Sequence, residues 1–153
     1  MQISKWNTPI EHGVLNILSV SWSSWDWYTG STDAKNHNVC DSDELDSNSL
    51  KVVVMHCIHE DESDVIFELN FTGVGAYRLL DENGLSELHE IDVGKANTFK
   101  VKGNGWSKES SCSFDMNTQN GWSFMLTTGG ECLEVLCQRE PTFTKLQTVK
   151  EMN

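Results

Sequence analysis

Residues 122–137 read WSFMLTTGGECLEVLC, and this stretch decides the fold. Two short apolar runs flank Gly129-Gly130, a pair that can adopt the positive φ angles of a tight hairpin turn. If Phe124 pairs with Val135, six apolar side chains share one face, and a slip of one residue exposes all of them. Those six are Trp122, Phe124, Leu126, Leu133, Val135 and Cys137. We therefore predict an antiparallel hairpin in this register.

A second hairpin is predicted upstream. The stretch Leu50–His59 is apolar and β-branched, and Val65–Phe71 alternates apolar and polar residues, as a half-buried strand does. With the turn centred on the polar link Glu60–Ser63, Val54 pairs with Leu69. The core face then carries Val52, Val54, His56 and Ile58 beside Val65, Phe67, Leu69 and Phe71. The opposite face is mixed, so we expect it to be only partly covered.

Shorter elements complete the pattern. Further strands are predicted at Gly13–Trp22, Thr98–Lys102 and Ser111–Met116. The chain after Pro141 forms either an edge strand or a closing helix.

Helix signals are few. A short helix is predicted around Leu85–Ile91, with Ser86 or Asn83 as its cap, and Thr8 before Pro9 can open a helical turn. The glycine-containing stretch Gly103–Trp106 is predicted as a turn.

These patterns predict a mainly β fold. Short strands, glycine-marked turns and weak helical periodicity favour an antiparallel sandwich or a rolled or open barrel with one or two short helices, and mixed α+β is the alternative. The length of 153 residues supports a single domain over 1–153, with a long polar loop at about 29–49.

Charge restricts the partners. The chain has 11 Lys and Arg against 23 Asp and Glu, a net charge of −12, which repels nucleic acid and anionic membranes. Two acidic clusters are candidates for docking a basic protein: Asp41, Asp43, Glu44, Asp46, Glu60, Asp61 and Glu62. Small acidic proteins without catalytic motifs include many inhibitors and immunity proteins, an analogy of class and charge. We therefore expect an acidic interaction protein of this inhibitor-like or immunity-like kind.

An aromatic cluster offers an alternative function. Residues 22–28 read WSSWDWY, and amphipathic rings near a loop can form a stacking platform for a sugar or a cation. A carboxylate between two indoles suits a cationic ligand. The candidate binding residues are Trp22, Trp25, Asp26, Trp27 and Tyr28. Core packing is the competing interpretation, because tryptophan is highly buried on average.

Signals for catalysis are weaker. A small hydrolase or isomerase would draw on His56, Cys57, His59 and Glu68. Alternation along a strand sends His56 and His59 to opposite faces, and neither paired Cys-x-x-Cys spacing nor a His-Glu-x-x-His helix is present. We predict no metal site and no cofactor, and we favour a binding protein over an enzyme.

Compartment and assembly follow from what the sequence contains. The first residues lack the charged and apolar regions of a secretory signal, and the five cysteines have no regular spacing, so we expect a cytoplasmic protein with reduced thiols. The mixed face of the upstream hairpin leaves room for a homodimer.

Overall fold

Two antiparallel sheets build the fold. The computed structural model describes residues 1–24, 48–58, 63–81, 86–89 and 96–150. The strands are β1 (Gln2–Lys5), β2 (Val14–Ser24), β3 (Asn48–Ile58), β4 (Ser63–Thr72), β5 (Val74–Asp81), β6 (Thr98–Lys102), β7 (Ser123–Thr127), β8 (Glu131–Cys137) and β9 (Thr142–Lys150). The helices are α1 (Ser86–His89), α2 (Gly105–Glu109) and α3 (Ser111–Asn117).

The strands divide into two layers. Sheet A has the order β1-β6-β7-β8-β5, and sheet B has the order β2-β3-β4-β9. The chain passes from sheet B to sheet A at Gly73, which has a φ of 66° that favours glycine. The mainly β prediction is confirmed, as two open sheets rather than a closed barrel, and the described residues include three short helices where one or two were predicted.

The main core lies between the sheets. Val52, Val54 and Leu69 of sheet B form one buried cluster with Phe124 and Leu133 of sheet A, among others. Trp6, 2% exposed, belongs to this cluster, and its ring centroid lies 4.8 Å from that of Phe124. Burial of these large apolar side chains is the main favourable contribution to folding.

The predicted downstream hairpin is confirmed in its register. Phe124 pairs with Val135, and Leu126 pairs with Leu133. Its turn is made differently from the prediction, because neither Gly129 nor Gly130 has a positive φ. The Thr128 hydroxyl instead accepts hydrogen bonds from the backbone N–H of Gly130 and Glu131. The Thr128 side chain therefore stabilises this turn, for which we had predicted positive φ angles at the two glycines.

The upstream hairpin has the predicted faces with a shifted register. Val54 pairs with Phe67 rather than with Leu69. A shift of two residues leaves every side chain on its predicted face, since strands alternate with a period of two. Ile58 is nevertheless 47% exposed, because it ends the strand. β3 begins at Asn48, so the last two residues of the predicted polar loop at about 29–49 belong to a strand. Residues 29–47 lie outside the described residues.

The clearest error concerns Ser111–Met116, which we predicted as a strand. It forms most of α3, and only Phe114 on that helix is buried, where it meets the Trp106 ring edge-on at a centroid distance of 5.3 Å. Gly103–Trp106 is also more than a turn. Asn104 accepts a hydrogen bond from the backbone N–H of Ser107 and thereby caps α2.

The remaining short elements agree better with the sequence. The strands at Thr98–Lys102 and after Pro141 are present as β6 and β9, and the first predicted strand forms as β2. The predicted helix around Leu85–Ile91 appears as α1, whereas Thr8 and Pro9 lie in a non-helical turn. Within the described ranges, no helix is long and apolar enough to cross a membrane.

Candidate functional site

The predicted aromatic site is described only at its first residue. Trp22 lies near the end of β2, is 37% exposed, and stacks on Tyr77 of β5 with ring centroids 5.4 Å apart. Trp25, Asp26, Trp27 and Tyr28 lie outside the described residues. The binding role of this cluster therefore stays a prediction.

The predicted acidic partner-binding residues also lie outside the described residues: Asp41, Asp43, Glu44, Asp46, Glu60, Asp61 and Glu62. Their segments join sheet B at different places. One segment runs from the end of β2 to the start of β3, and the other follows the end of β3. Since β3 has 11 residues and so spans about 35 Å, the two clusters are attached at opposite ends of this strand.

The catalytic candidates are separated by the sheet. His56 points into the core beside Phe67, is 2% exposed, and its Nε2 is hydrogen-bonded to the backbone carbonyl of His12. Cys57 and Glu68 lie on the opposite face of sheet B, where Glu68 is 3.5 Å from Lys51 Nζ. His59 lies outside the described residues. The structure therefore does not bring His56 together with Cys57 or Glu68.

The thiol of Cys57 is held in its protonated form. A hydrogen bond to Asp64, together with partial burial and the carboxylate charge, raises its pKa to about 11. Because the thiolate is the nucleophile, this environment opposes nucleophilic chemistry at neutral pH. Among the described residues, no group of three or more His, Cys, Asp or Glu side chains is arranged to hold a metal ion.

A buried carboxylate, which sequence reasoning missed, organises the outer face of sheet A. Glu134 is fully buried, and its Oε2 accepts hydrogen bonds from Nε and Nη2 of Arg78 at 2.9 and 2.7 Å. Its Oε1 accepts from Asn104 Nδ2 at 2.8 Å and from the Ser123 hydroxyl. The Arg78 guanidinium lies 4.7 Å from the centroid of the Trp106 ring.

This arrangement joins β5, β7 and β8 to the helix cap at Asn104. Both oxygens of Glu134 are fully used, as a buried carboxylate requires. No buried side-chain nitrogen or oxygen in the described part of the chain lacks a hydrogen-bond partner. We call Glu134 and its partners Arg78, Asn104 and Ser123 the Glu134 cluster. Its carboxylate is structural, because both oxygens are already occupied by hydrogen bonds within the protein.

A polar cleft opens where β6 and β8 end and β7 begins. It encloses about 630 Å³ and is lined by Lys102, Asp115, Thr118, Gln119, Asn120, Gly121, Gln138 and Arg139, which we call the end cleft. An adjoining lobe of about 270 Å³ shares three of these residues and adds Trp122, Lys100 and Glu140, among others. These side chains come from three separate stretches of sequence, so their proximity is a product of the fold.

A tight turn shapes the cleft. The backbone N–H of Trp122 donates to the carbonyl of Gln119 at 3.2 Å. Asn120 and Gly121 between them have φ values of 58° and 80°, as a type I′ turn requires. The Asn-Gly pair is the strongest short-range signal for such a turn, and it could have located this wall of the cleft from sequence alone.

The other walls are tied to the helix and the sheet. The side chain of Gln138 donates to the carbonyl of Met116 at 2.8 Å, which fastens the segment after β8 to α3. Lys100 pairs with Glu140 at 2.7 Å. Within the described ranges, Lys102 and Arg139 form no ion pair. The end cleft thus combines fixed walls with two cations that have no counter-ion among those residues.

A second opening, at the other end of the fold, offers less. It encloses about 440 Å³ and is bordered by Glu11, His12, Gly13 and His56, among others. Glu11 is engaged by Lys5 and His12, and the Nε2 of His56 is engaged by the backbone. The end cleft is therefore the better candidate for a binding site.

Comparison with known proteins adds no assignment: no family model, no curated protein and no solved structure matches this chain.

Proposed function

We propose that this chain is a binding protein that takes a polar, sugar-like ligand in the end cleft and carries out no covalent chemistry. The observation that supports this most is the convergence of amide side chains in one concavity. Gln119, Asn120 and Gln138 line both the cleft and its adjoining lobe. Amides offer donors and acceptors together, which matches a ligand rich in hydroxyl groups.

Two of these three amides favour a ligand over a structural role, whereas Gln138 already donates to the carbonyl of Met116. The side chains of Gln119 and Asn120 are exposed, and neither has a side-chain hydrogen bond to the described residues. Trp122 is half-buried in the adjoining lobe, where its amphipathic ring can stack on an apolar sugar face. The sequence predicted a cationic or sugar-like ligand at Trp22–Tyr28, and that prediction is untested. The proposal for the end cleft concerns a separate site.

Titration of isotope-labelled protein with a panel of mono- and disaccharides tests this proposal. We expect backbone amide shifts that cluster at Gln119–Trp122 and Gln138. Asn120→Gly removes the amide while preserving the positive φ, so it should weaken binding about fivefold without unfolding the turn. Gln147→Ala on β9, which deletes an exposed amide far from the cleft, is the matched control. The proposal fails if no saccharide binds, or if both variants behave alike.

A second candidate function rests on where the charge lies. The described residues carry nine basic and ten acidic side chains, whereas the other segments carry two basic and thirteen acidic ones. The sandwich is therefore nearly neutral, and the connecting segments hold almost all of the negative charge. Such a distribution suits electrostatic attraction of a basic protein partner, in an inhibitor-like or immunity-like role.

Affinity capture at low salt tests the second candidate. A specific basic partner should bind the wild type and be released by raised salt. Replacement of Asp41, Asp43, Glu44 and Asp46 by their amides is compared with the same replacement of Glu60, Asp61 and Glu62. A partner that recognises one cluster is lost from one variant only. Equal retention on both variants would contradict a specific acidic docking site.

A further inference from the structure

We infer that the ligand of the end cleft carries an oxyanion, such as a carboxylate or a sulfate, which lies between Lys102 and Arg139. This inference rests on the proposed function and adds the chemical class of the ligand. Two cations line the cleft wall: Lys102 at the end of β6 and Arg139 in the segment after β8.

The cations of the cleft differ from most other basic groups in the described part of the chain. Lys5, Lys51, Arg78 and Lys100 each lie within ion-pair distance of a carboxylate. Lys102 and Arg139 line one concavity without such a partner. Lys102 and Arg139 carry like charges in the same cleft, so a shared anion is a group that can stabilise both of them at once.

The backbone helps to orient Lys102. Its aliphatic stem runs across Gly121, where a Cβ atom would lie 3.4 Å from Cε of the lysine. Lys102 is half-buried, and contact along the stem reduces the number of conformations that its ammonium group explores. Binding of a ligand to Lys102 therefore costs less conformational entropy, because the side chain is already partly ordered before the ligand binds.

The adjoining lobe does not cancel this positive charge. Glu140 is engaged by Lys100 at 2.7 Å, and Lys100 also lies 5.1 Å from the centroid of the Phe124 ring. Among the described residues that line the end cleft, Asp115 is the one acidic residue. Its carboxylate repels a bound anion. Neutralising Asp115 should therefore increase the affinity for an anionic ligand, whereas neutralising Lys102 or Arg139 should decrease it.

The protein has a net charge of −12, so an anionic ligand is attracted only close to Lys102 and Arg139. Screening at physiological salt has a length of about 8 Å, so the distant acids affect the cleft weakly. Direct contacts with Lys102 and Arg139 act over a shorter distance and survive this screening. The inference therefore predicts recognition at contact distance, and it does not predict long-range attraction of anions to the protein.

The test uses sugars that differ only in the group at C6, which is neutral in the parent and anionic in its derivatives. Glucose is compared with glucuronate and glucose 6-sulfate, and galactose with galacturonate and galactose 6-sulfate, by titration of the full-length protein. We expect at least one anionic member to bind about fivefold more tightly than its neutral parent. The carboxylate and sulfate arms separate the two sources of an oxyanion.

Charge variants identify the residues responsible. Lys102→Gln and Arg139→Gln should each remove about fivefold of the affinity for the anionic sugar, whereas Asp115→Asn should increase it about twofold. Lys108→Gln on α2 and Lys145→Gln on β9 remove exposed cations without a described ion pair outside the cleft, and should have no effect. Backbone amide shifts caused by the anionic sugar should include Lys102, Gly121 and Arg139.

Three results would overturn the inference, and they can be told apart. If neutral and anionic sugars bind equally, and binding depends on Asn120 but not on Lys102 or Arg139, the proposed function stands and the oxyanion is wrong. If no sugar of either kind binds, the proposed function and this inference both fail. If the control lysines matter as much as Lys102, binding reflects general charge and the cleft assignment is wrong.

Discussion

Glu134 and Arg139 are five residues apart in sequence, yet their surroundings are opposite. Glu134 is fully buried on the outer face of sheet A. Both of its oxygens accept hydrogen bonds, from the side chains of Arg78, Asn104 and Ser123. Arg139 is exposed beyond the end of β8 and lines the end cleft. It has no ion-pair partner among the described residues.

This difference separates a structural role from a binding role. A buried charge must be satisfied within the protein, because its desolvation otherwise costs several kcal/mol. An exposed charge is satisfied by water, and it can exchange that water for a ligand at little cost. We therefore expect variants of the Glu134 cluster to change stability and variants of the cleft to change binding.

Arg78→Ala should have the largest effect on stability. It leaves the buried Glu134 carboxylate without its counter-ion, which should lower the free energy of unfolding by about 3 kcal/mol. Urea unfolding followed by tryptophan fluorescence measures this loss. Lys108→Ala, which removes an exposed cation on α2, is the control and should stay within about 0.5 kcal/mol of the wild type.

A double variant sharpens the interpretation of that loss. Replacement of Arg78 by Met together with Glu134 by Leu removes both charges, and should recover part of the stability lost in Arg78→Ala. A loss below about 0.5 kcal/mol for Arg78→Ala would contradict a structural role for the pair.

Gly75→Ala should have the next largest effect on stability. Gly75 lies on β5, and the substitution acts on α3, the helix that precedes the end cleft. A methyl group at Gly75 would overlap the side chain of Asn117 at the end of α3, and a displacement of this helix should cost about 2 kcal/mol. Gly129→Ala is the matched control, since open space surrounds that position. Addition of Asn117→Gly should restore much of the stability, and failure to do so would show that the overlap is not the cause.

Asp64→Asn should have a small effect on stability, of less than about 1 kcal/mol, and a clear effect on Cys57. Asp64 raises the pKa of Cys57 to about 11, so thiolate is scarce at pH 8. Loss of the carboxylate lowers that pKa and should speed alkylation by iodoacetamide about tenfold. Peptide mapping measures the rate against the exposed Cys112, and an unchanged ratio of the two rates would exclude Asp64 as the cause.

Lys102→Gln and Arg139→Gln should have the smallest effect on stability. Because neither cation has an ion-pair partner in the described part of the chain, the free energy of unfolding should stay within about 0.5 kcal/mol of the wild type. Urea unfolding in parallel with the Arg78 variants provides this measurement. A loss of 2 kcal/mol or more would mean that these side chains stabilise the fold.

The fold could be predicted where the pattern of apolar residues allowed only one strand register. Pairing Phe124 with Val135 puts six apolar residues on one face, and the observed register agrees, although Trp122 precedes β7 and is only half-buried. The upstream hairpin had a polar link whose length fixed the register poorly, so its faces were correct while its pairing moved by two residues. The segment at Ser111 failed because one buried residue, Phe114, does not distinguish a strand from a short helix.

The candidate site could be predicted much less well. Its residues are ordinary polar side chains from three separate stretches, and only the fold brings Lys102, Asn120 and Arg139 together. The Asn-Gly turn was available as a local signal. The Glu134 cluster was hidden for a different reason, since a glutamate in an alternating strand is normally predicted to face water.

The most direct test compares Arg78→Ala with Arg139→Gln by urea unfolding, with and without glucuronate. We expect Arg78→Ala to be destabilised in both conditions and still to gain stability from the sugar. Arg139→Gln should unfold like the wild type without the sugar and gain less stability from it. If the two arginine variants exchange these behaviours, or if both lose stability equally, the division between a structural cluster and a binding cleft is wrong.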